Sequence, residues 1–161
     1  MKKFVFTLLL VFVCHLGYAQ GINGLFNEFG SEKNADCVKV SSFMMSLGKM
    51  FAGHDEDAKI IRKIKSIKVL DLESCTASVK ERFSKKVNRL SLKGYDELMR
   101  VNDEGEKVRV LMKTKKETIR ELLFVCTGKE DCTLVQINGK FTKEDIDKLV
   151  NQETKKKHGR R

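Results

Sequence analysis

Residues 95–139 read YDELMRVNDEGEKVRVLMKTKKETIRELLFVCTGKEDCTLVQING, and this stretch decides the fold. Apolar residues recur at every second position, as in Val108, Val110 and Met112, and this period is typical of a strand with one buried face. The polar segment 102–105, NDEG, separates two such strands and predicts a hairpin. A second hairpin is predicted from strands at 119–125 and 134–137, although residues 117–123 also fit a helix.

Upstream of this stretch the apolar residues recur with the period of a helix. A short opening helix is predicted from positions i, i+3, i+4 and i+7, namely Ile22, Leu25, Phe26 and Phe29. Further helices are predicted at 43–51, 55–65, 79–90 and 143–152, with strands at 38–40 and 67–72 and a turn at Asn138-Gly139. Because helices join the two short strands, we expect a right-handed parallel crossover between them.

The order of these elements predicts the α+β class. We expect a single mixed, mostly antiparallel sheet of about six strands with helices mainly on one face.

The beginning of the chain is typical of a secretory signal peptide. Two lysines precede an apolar run at 4–16, and residues 17–19, GYA, form a small-residue cleavage site. The run is shorter than the ~20 residues that a spanning helix needs, so we expect it to be cleaved. The alternative is a lipoprotein anchored at Cys14, but Val13 is not the small residue that lipidation requires before the cysteine.

We therefore expect three segments: a signal peptide at 1–19, a single domain at 20–152 and a basic, disordered tail at 153–161. No second apolar stretch follows Gln20, so no transmembrane span is expected in the mature chain. The predicted location is the periplasm or the outer membrane, or the medium after secretion. Nucleic acid is not an expected partner of an exported protein.

Basic residues outnumber acidic ones by 32 to 22. The densest basic cluster of the domain lies on the helix predicted at 79–90, whose polar side carries Arg82, Lys85, Lys86 and Arg89. This basic patch is a candidate binding site for an anionic surface. The alternative is ordinary solvent-facing charge on a helix.

The cysteines are compatible with a disulfide in an oxidising compartment. Cys126 and Cys132 are the predicted pair, because they bracket residues 127–131 between two strands and would face each other near the turn. The alternative is that both stay reduced and fill strand ends. The sequence does not decide whether Cys37 and Cys75 are free. Parallel strands would place them at opposite ends of the sheet, which disfavours a second disulfide. Neither a C-x-x-C motif nor paired zinc-ligand spacing occurs, so we expect no metal site and no cofactor.

Catalytic motifs are scarce. Beyond the signal peptide the histidines are His54 and His158, and no G-x-S-x-G, Walker, H-E-x-x-H or G-x-G-x-x-G motif occurs. Acidic pairs at 55 and 57, at 71 and 73, and at 103–106 lie where caps and turns commonly hold acids. Carboxylates distant in the sequence can still converge, as in glycosidases. We assign no catalytic residue.

Five segments carry a resemblance to a known family: FNEF at 26–29, CVKVSSFMM at 37–45, KIKSIKVLDL at 63–72, YDELMRVNDEGEKVRVLMK at 95–113 and LVQINGKFTKEDIDKL at 134–149. With them the chain resembles the family catalogued as domain of unknown function 4252. The resemblance implies a small exported protein of Bacteroidota, in the periplasm or at the outer membrane, with no catalytic residues to carry over. Many members look like lipoproteins, and this chain departs from them at Cys14.

The sequence therefore predicts a non-enzymatic protein of the cell envelope. We expect a binding or accessory module that uses its sheet face or its basic helix to contact an envelope protein or an anionic surface. The alternative function is a carboxylate-dependent hydrolase that acts on envelope polysaccharide or peptide.

Overall fold

A computed structural model describes residues 21–51, 56–90, 92–103 and 105–148. The helices are α1 (Ile22–Phe29), α2 (Ser42–Phe51), α3 (Glu56–Lys63) and α4 (Ala77–Arg89), and a further helix, α5, begins at residue 143 and is described through residue 148. The strands are β1 (Asp36–Val40), β2 (Ile64–Asp71), β3 (Asp96–Asp103), β4 (Glu106–Lys115), β5 (Thr118–Thr127) and β6 (Cys132–Phe141).

The six strands form one open sheet in the order β1-β2-β6-β5-β4-β3. The α+β class, with a sheet of six strands, is confirmed. Both predicted hairpins are present, since β3 pairs with β4 and β5 pairs with β6, and residues 118–127 are strand throughout. The last hairpin places β6 against β2, which joins the four C-terminal strands to the N-terminal half of the chain.

The predicted parallel crossover is wrong, because β1 and β2 are antiparallel with Val40 opposite Ile67. Two helices, α2 and α3, separate these strands, and they return the chain to the end of the sheet from which it left. A strand that re-enters at that end runs antiparallel to its neighbour. All five strand pairs of the described sheet are antiparallel.

One face of the sheet, the first face, packs against α1 and α4. The opening helix buries the four predicted positions, and α4 buries Val79, Phe83 and Val87. Phe29 and Phe83 meet edge to face with ring centroids 5.3 Å apart. Leu70, Leu111, Leu123 and Leu134 complete this core from the strands.

The opposite face, the second face, has a smaller core at one end. Ile119, Leu122 and Phe141 are buried there, and Ile60 of α3 and Ile146 of α5 pack against them. The turn predicted at Asn138-Gly139 is wrong, because both residues lie inside β6. A Cβ added at Gly139 would lie 2.7 Å from the backbone oxygen of Lys63, so this glycine allows close approach between β6 and the end of α3.

The predicted signal peptide at 1–19 and the predicted tail at 153–161 lie outside the described residues. Among the described helices, none combines the length and the apolarity that crossing a bilayer requires.

We expect Phe83→Ala to lower the free energy of unfolding by about 3–5 kcal/mol, because it leaves a cavity between α4 and the sheet. Phe43→Ala is the matched control: Phe43 is 73% exposed, so its truncation should change stability by no more than about 0.5 kcal/mol. Urea denaturation followed by circular dichroism measures both values. Equal losses in the two variants would contradict this assignment of the core.

Candidate functional site

The second face carries a row of apolar side chains that runs across the whole sheet. Strand register aligns one residue from each of the six strands, and we call these residues the apolar row: Val38, Val69, Val135, Phe124, Val110 and Met99. Each alternates along its strand with a residue of the first face, as Phe124 does with Leu123 and Val125. Both faces of the sheet are therefore apolar at this level.

Most of the apolar row is open to solvent in the described part of the chain; the exception is Val110, which is only 9% exposed. Val38 is 55% exposed, Phe124 38% and Met99 48%, while Val69 and Val135 are half-buried. Val101 on β3 continues the same surface and is 44% exposed. This alignment of exposed apolar side chains makes the second face the candidate functional site.

An ion pair fixes the helices that cover the neighbouring end of the second face. Lys63 at the end of α3 donates to Asp145 at 2.6 Å, and Asp145 also accepts from the backbone N–H of Thr142 at 2.7 Å. The backbone N–H of Asp145 donates to Thr142 Oγ1, which completes a reciprocal cap at the start of α5. These bonds hold α3 and α5 together over β2 and β6, beside the apolar row.

The edge strand β3 is fully exposed and carries a charged cluster. Glu97 accepts from Arg100 Nε and from Arg109 Nε, both at 2.8 Å. Hydrogen bonds from Arg100 and then Arg109 lower the pKa of Glu97 to about 2. Such charges, together with the bulge between Glu97 and Met99, disfavour the addition of a further strand at this edge.

The residues of the predicted basic patch lie on α4, where most of them pair with acids. Arg82 donates to Glu32 and stacks over the Phe29 ring, and Lys86 donates to Glu28. Lys85 pairs with Glu81 at 2.6 Å, one turn earlier on the same helix. Arg89 lies exposed in the last turn. Arg82 and Lys86 thus attach α1 and its following loop to α4.

The predicted Cys126–Cys132 disulfide is wrong, because all four cysteines of the described residues are free. Register explains the error: Cys132 lies opposite Thr127, and Cys126 lies opposite Thr133. Since neighbouring residues of a strand point to opposite faces, Cys132 is buried on the first face while Cys126 lies on the second. Antiparallel pairing also places Cys37, opposite Leu70, at the sheet end that leads to Cys75.

The acidic positions singled out in the sequence are dispersed. Asp71 caps the turn after β2 by accepting from the backbone N–H of Glu73 at 2.9 Å. Asp103 and Glu106 face each other in the β3–β4 hairpin, whereas Asp55 and Glu104 lie outside the described residues. In the described part of the chain no three His, Cys, Asp or Glu side chains group together as metal ligands would.

Sequence reasoning missed the apolar row because it assigned only one buried face to the first hairpin and none to the second. A signal was present in the runs 122–125, LLFV, and 134–137, LVQI, since a strand with apolar residues at both parities needs cover on both sides.

A family model matches residues 29–149, from the end of α1 into α5, and so spans all six strands. The chain belongs to the family described as domain of unknown function (DUF4252). The resemblance seen in the sequence is thereby confirmed. No curated protein and no solved structure gives a significant match to the chain.

We expect the Cys126 and Cys132 thiols to be free in the folded protein. Unfolding in an alkylating reagent without reductant should then leave one alkyl group on each of the two peptides, as in a control sample that was reduced first. Because Cys132 is fully buried and Cys126 is half-buried, native labelling should modify Cys126 first. A peptide pair that mass spectrometry detects as cross-linked only before reduction would contradict the structure.

We expect Asp145→Asn to lower the free energy of unfolding by about 1–3 kcal/mol at pH 7. Burial alone would raise the pKa of Asp145, but hydrogen bonds from Lys63 and Thr142 hold it below its usual value. The stabilisation is therefore present above the unfolded-state pKa of the carboxyl and is lost as the pH falls through the lower folded-state pKa.

Urea titrations at several pH values test this expectation. The wild-type protein should lose stability below about pH 4, and Asp145→Asn should reduce that loss. Asp147→Asn, at an exposed carboxylate on the same helix, is the control and should behave like the wild type. A pH profile that Asp145→Asn leaves unchanged would contradict the assigned role.

Proposed function

We propose that the protein is a non-enzymatic binding module of the cell envelope, and that its apolar row docks on another envelope protein. The observation that carries the proposal is the alignment of six apolar side chains across the sheet, with Val38, Phe124 and Met99 left exposed. Protein interfaces commonly have an apolar centre with a polar rim. Export rests on the signal-peptide pattern at 1–19.

The charges around the apolar row supply such a rim. Asp36 and Asp71 face each other two residues along β1 and β2 from Val38 and Val69. On the other side of the row, which the helices cover, lies the Lys63–Asp145 ion pair. The row itself contains no charged residue, so docking on it would not require an unpaired charge to be buried.

The basic patch supports docking less well than the apolar row does. Three of its four cations already pair with Glu28, Glu32 and Glu81, and two of these pairs join α4 to the segment that begins with α1. An anionic partner would have to compete with these carboxylates. The edge of β3 is equally unsuited, because Glu97 and two arginines form a charged cluster along it.

Site-specific photo-crosslinking in living cells tests the proposal. The residue p-benzoylphenylalanine replaces Phe124, whose size and ring it approximates, and in a second strain it replaces Lys85 on the exposed side of α4. We expect ultraviolet light to give a discrete adduct between the Phe124 variant and a second envelope protein. The Lys85 variant should give none, and both variants should fold, because both positions are exposed.

Three results would contradict the proposal. These are the absence of an adduct at Phe124, adducts of equal yield at both positions, and an adduct formed only with a second copy of the same chain. Phe124→Lys provides the complementary measurement. When it is added to the strain beside a probe at Met99, the Met99 adduct should fall at least about tenfold, as expected for the loss of an aromatic anchor.

A further inference from the structure

A cleft lined by both polar and apolar residues opens on the first face, away from the apolar row, and the proposed docking function makes no use of it. Its volume is about 510 Å³, a size typical of sites for small molecules. It lies between the start of α1, the loop before β3, and strands β4, β5 and β6. The residues that matter for its chemistry are Gly21, Lys93, Tyr95, Lys113, Glu121 and Gln136.

Gln136, which lines the cleft, carries a buried acceptor without a donor. Gln136 is only 6% exposed, and its Nε2 donates to Glu121 Oε1 at 2.6 Å. A carboxylate only accepts, so the amide turns its NH2 group toward Glu121 and leaves Oε1 on the other side. Within the described structure, Gln136 Oε1 is buried and has no hydrogen-bond partner. Such an orphan acceptor destabilises the free protein and favours a ligand that brings a donor.

A second set of contacts holds Glu121 in place. Tyr95 donates its hydroxyl to Glu121 Oε1 at 2.5 Å, and the ammonium of Lys113 lies 5.4 Å from the centre of the Tyr95 ring. Burial, and next the hydrogen bond to Glu121, raises the pKa of Tyr95, so the phenol stays protonated and keeps donating. Glu121 is the one carboxylate among the described residues that line the cleft.

The rim of the cleft is positive. Gly21 caps α1 without a side chain, and the first turn of that helix contains no acidic residue, so no side chain of these residues offsets the positive end of the helix dipole. Lys93 and Lys113 lie exposed on the same rim. A carboxylate placed between the helix start and these lysines would be stabilised by both.

We propose that this cleft binds a small molecule with a carboxylate at one end and an amino or amide N–H at the other, in the class of free amino acids and short peptides. The carboxylate binds at the α1 N-terminus beside Lys113. The N–H group donates to the orphan Oε1 of Gln136 and to the Glu121 carboxylate.

Calorimetric titration of the protein, purified from the periplasm of a bacterial host after export, tests the proposal. The probes are L-alanyl-L-alanine, which carries both groups, and acetate and ethylamine, which carry one each. We expect the dipeptide to bind with a Kd below about 1 mM, and each fragment to bind at least about tenfold more weakly. Acetate that binds as tightly as the dipeptide would overturn the two-ended assignment, as would the absence of dipeptide binding.

Two variants link any binding to this cleft. Lys113→Met and Gln136→Leu should each weaken dipeptide binding by at least about tenfold. Lys115→Met, two residues further along β4 and outside the lining, should leave it unchanged. Lys113 is exposed, so its variant should fold even if Gln136→Leu does not. Full affinity in Lys113→Met, or equal loss in Lys115→Met, would show that the dipeptide binds elsewhere. Phe124→Lys should not affect this binding, which separates a failure here from a failure of the docking proposal.

Discussion

β2 and β6 are far apart in the chain, yet their pairing holds the two halves of the sheet together. Seven registered positions connect them, including Leu70 opposite Leu134 and Val69 opposite Val135. The first pair belongs to the core under α1 and α4, and the second to the apolar row. Without this ladder, β1 and β2 would pair only with each other. Strands β3 to β6 would form a separate four-stranded meander. The apolar row therefore depends on one long-range contact.

The two faces of the sheet differ in how completely they are covered. On the first face, α1 and α4 bury phenylalanine and leucine side chains. Lys86 with Glu28 joins the two helices, and Arg82 with Glu32 joins α4 to the loop after α1. On the second face, α3 and α5 cover one end and are joined by the ion pair between Lys63 and Asp145. A domain built only for stability would gain free energy from covering the remaining apolar area as well, at about 25 cal/mol per Å². Its exposure fits a surface used in contact with a partner.

Local patterns in the sequence predicted the local parts of this fold. The spacing of Ile22, Leu25, Phe26 and Phe29 gave the buried stripe of α1, and the alternation after Tyr95 gave both hairpins. Apart from the turn predicted at Asn138-Gly139, what failed depended on register or on chain direction. A shift of one residue across β5 and β6 moves Cys126 to the face opposite Cys132, and no composition rule detects it. The cleft on the first face could not be predicted from the sequence for the same reason, because Lys113, Glu121 and Gln136 come together only when three strands pair.

The position of β6 in the chain also sets when the protein can fold. β6 is the last strand of the described residues, so the chain must be available through Phe141 before β2 can pair with β6 and the main core can close. Contacts between such distant segments form late and slow the search for the native state. If a polypeptide crosses a membrane from its N-terminus, β1, β2 and α4 emerge before β6 is available to pair with β2. For an exported chain, this order of strands would delay closure of the main core until the C-terminal part had crossed the membrane.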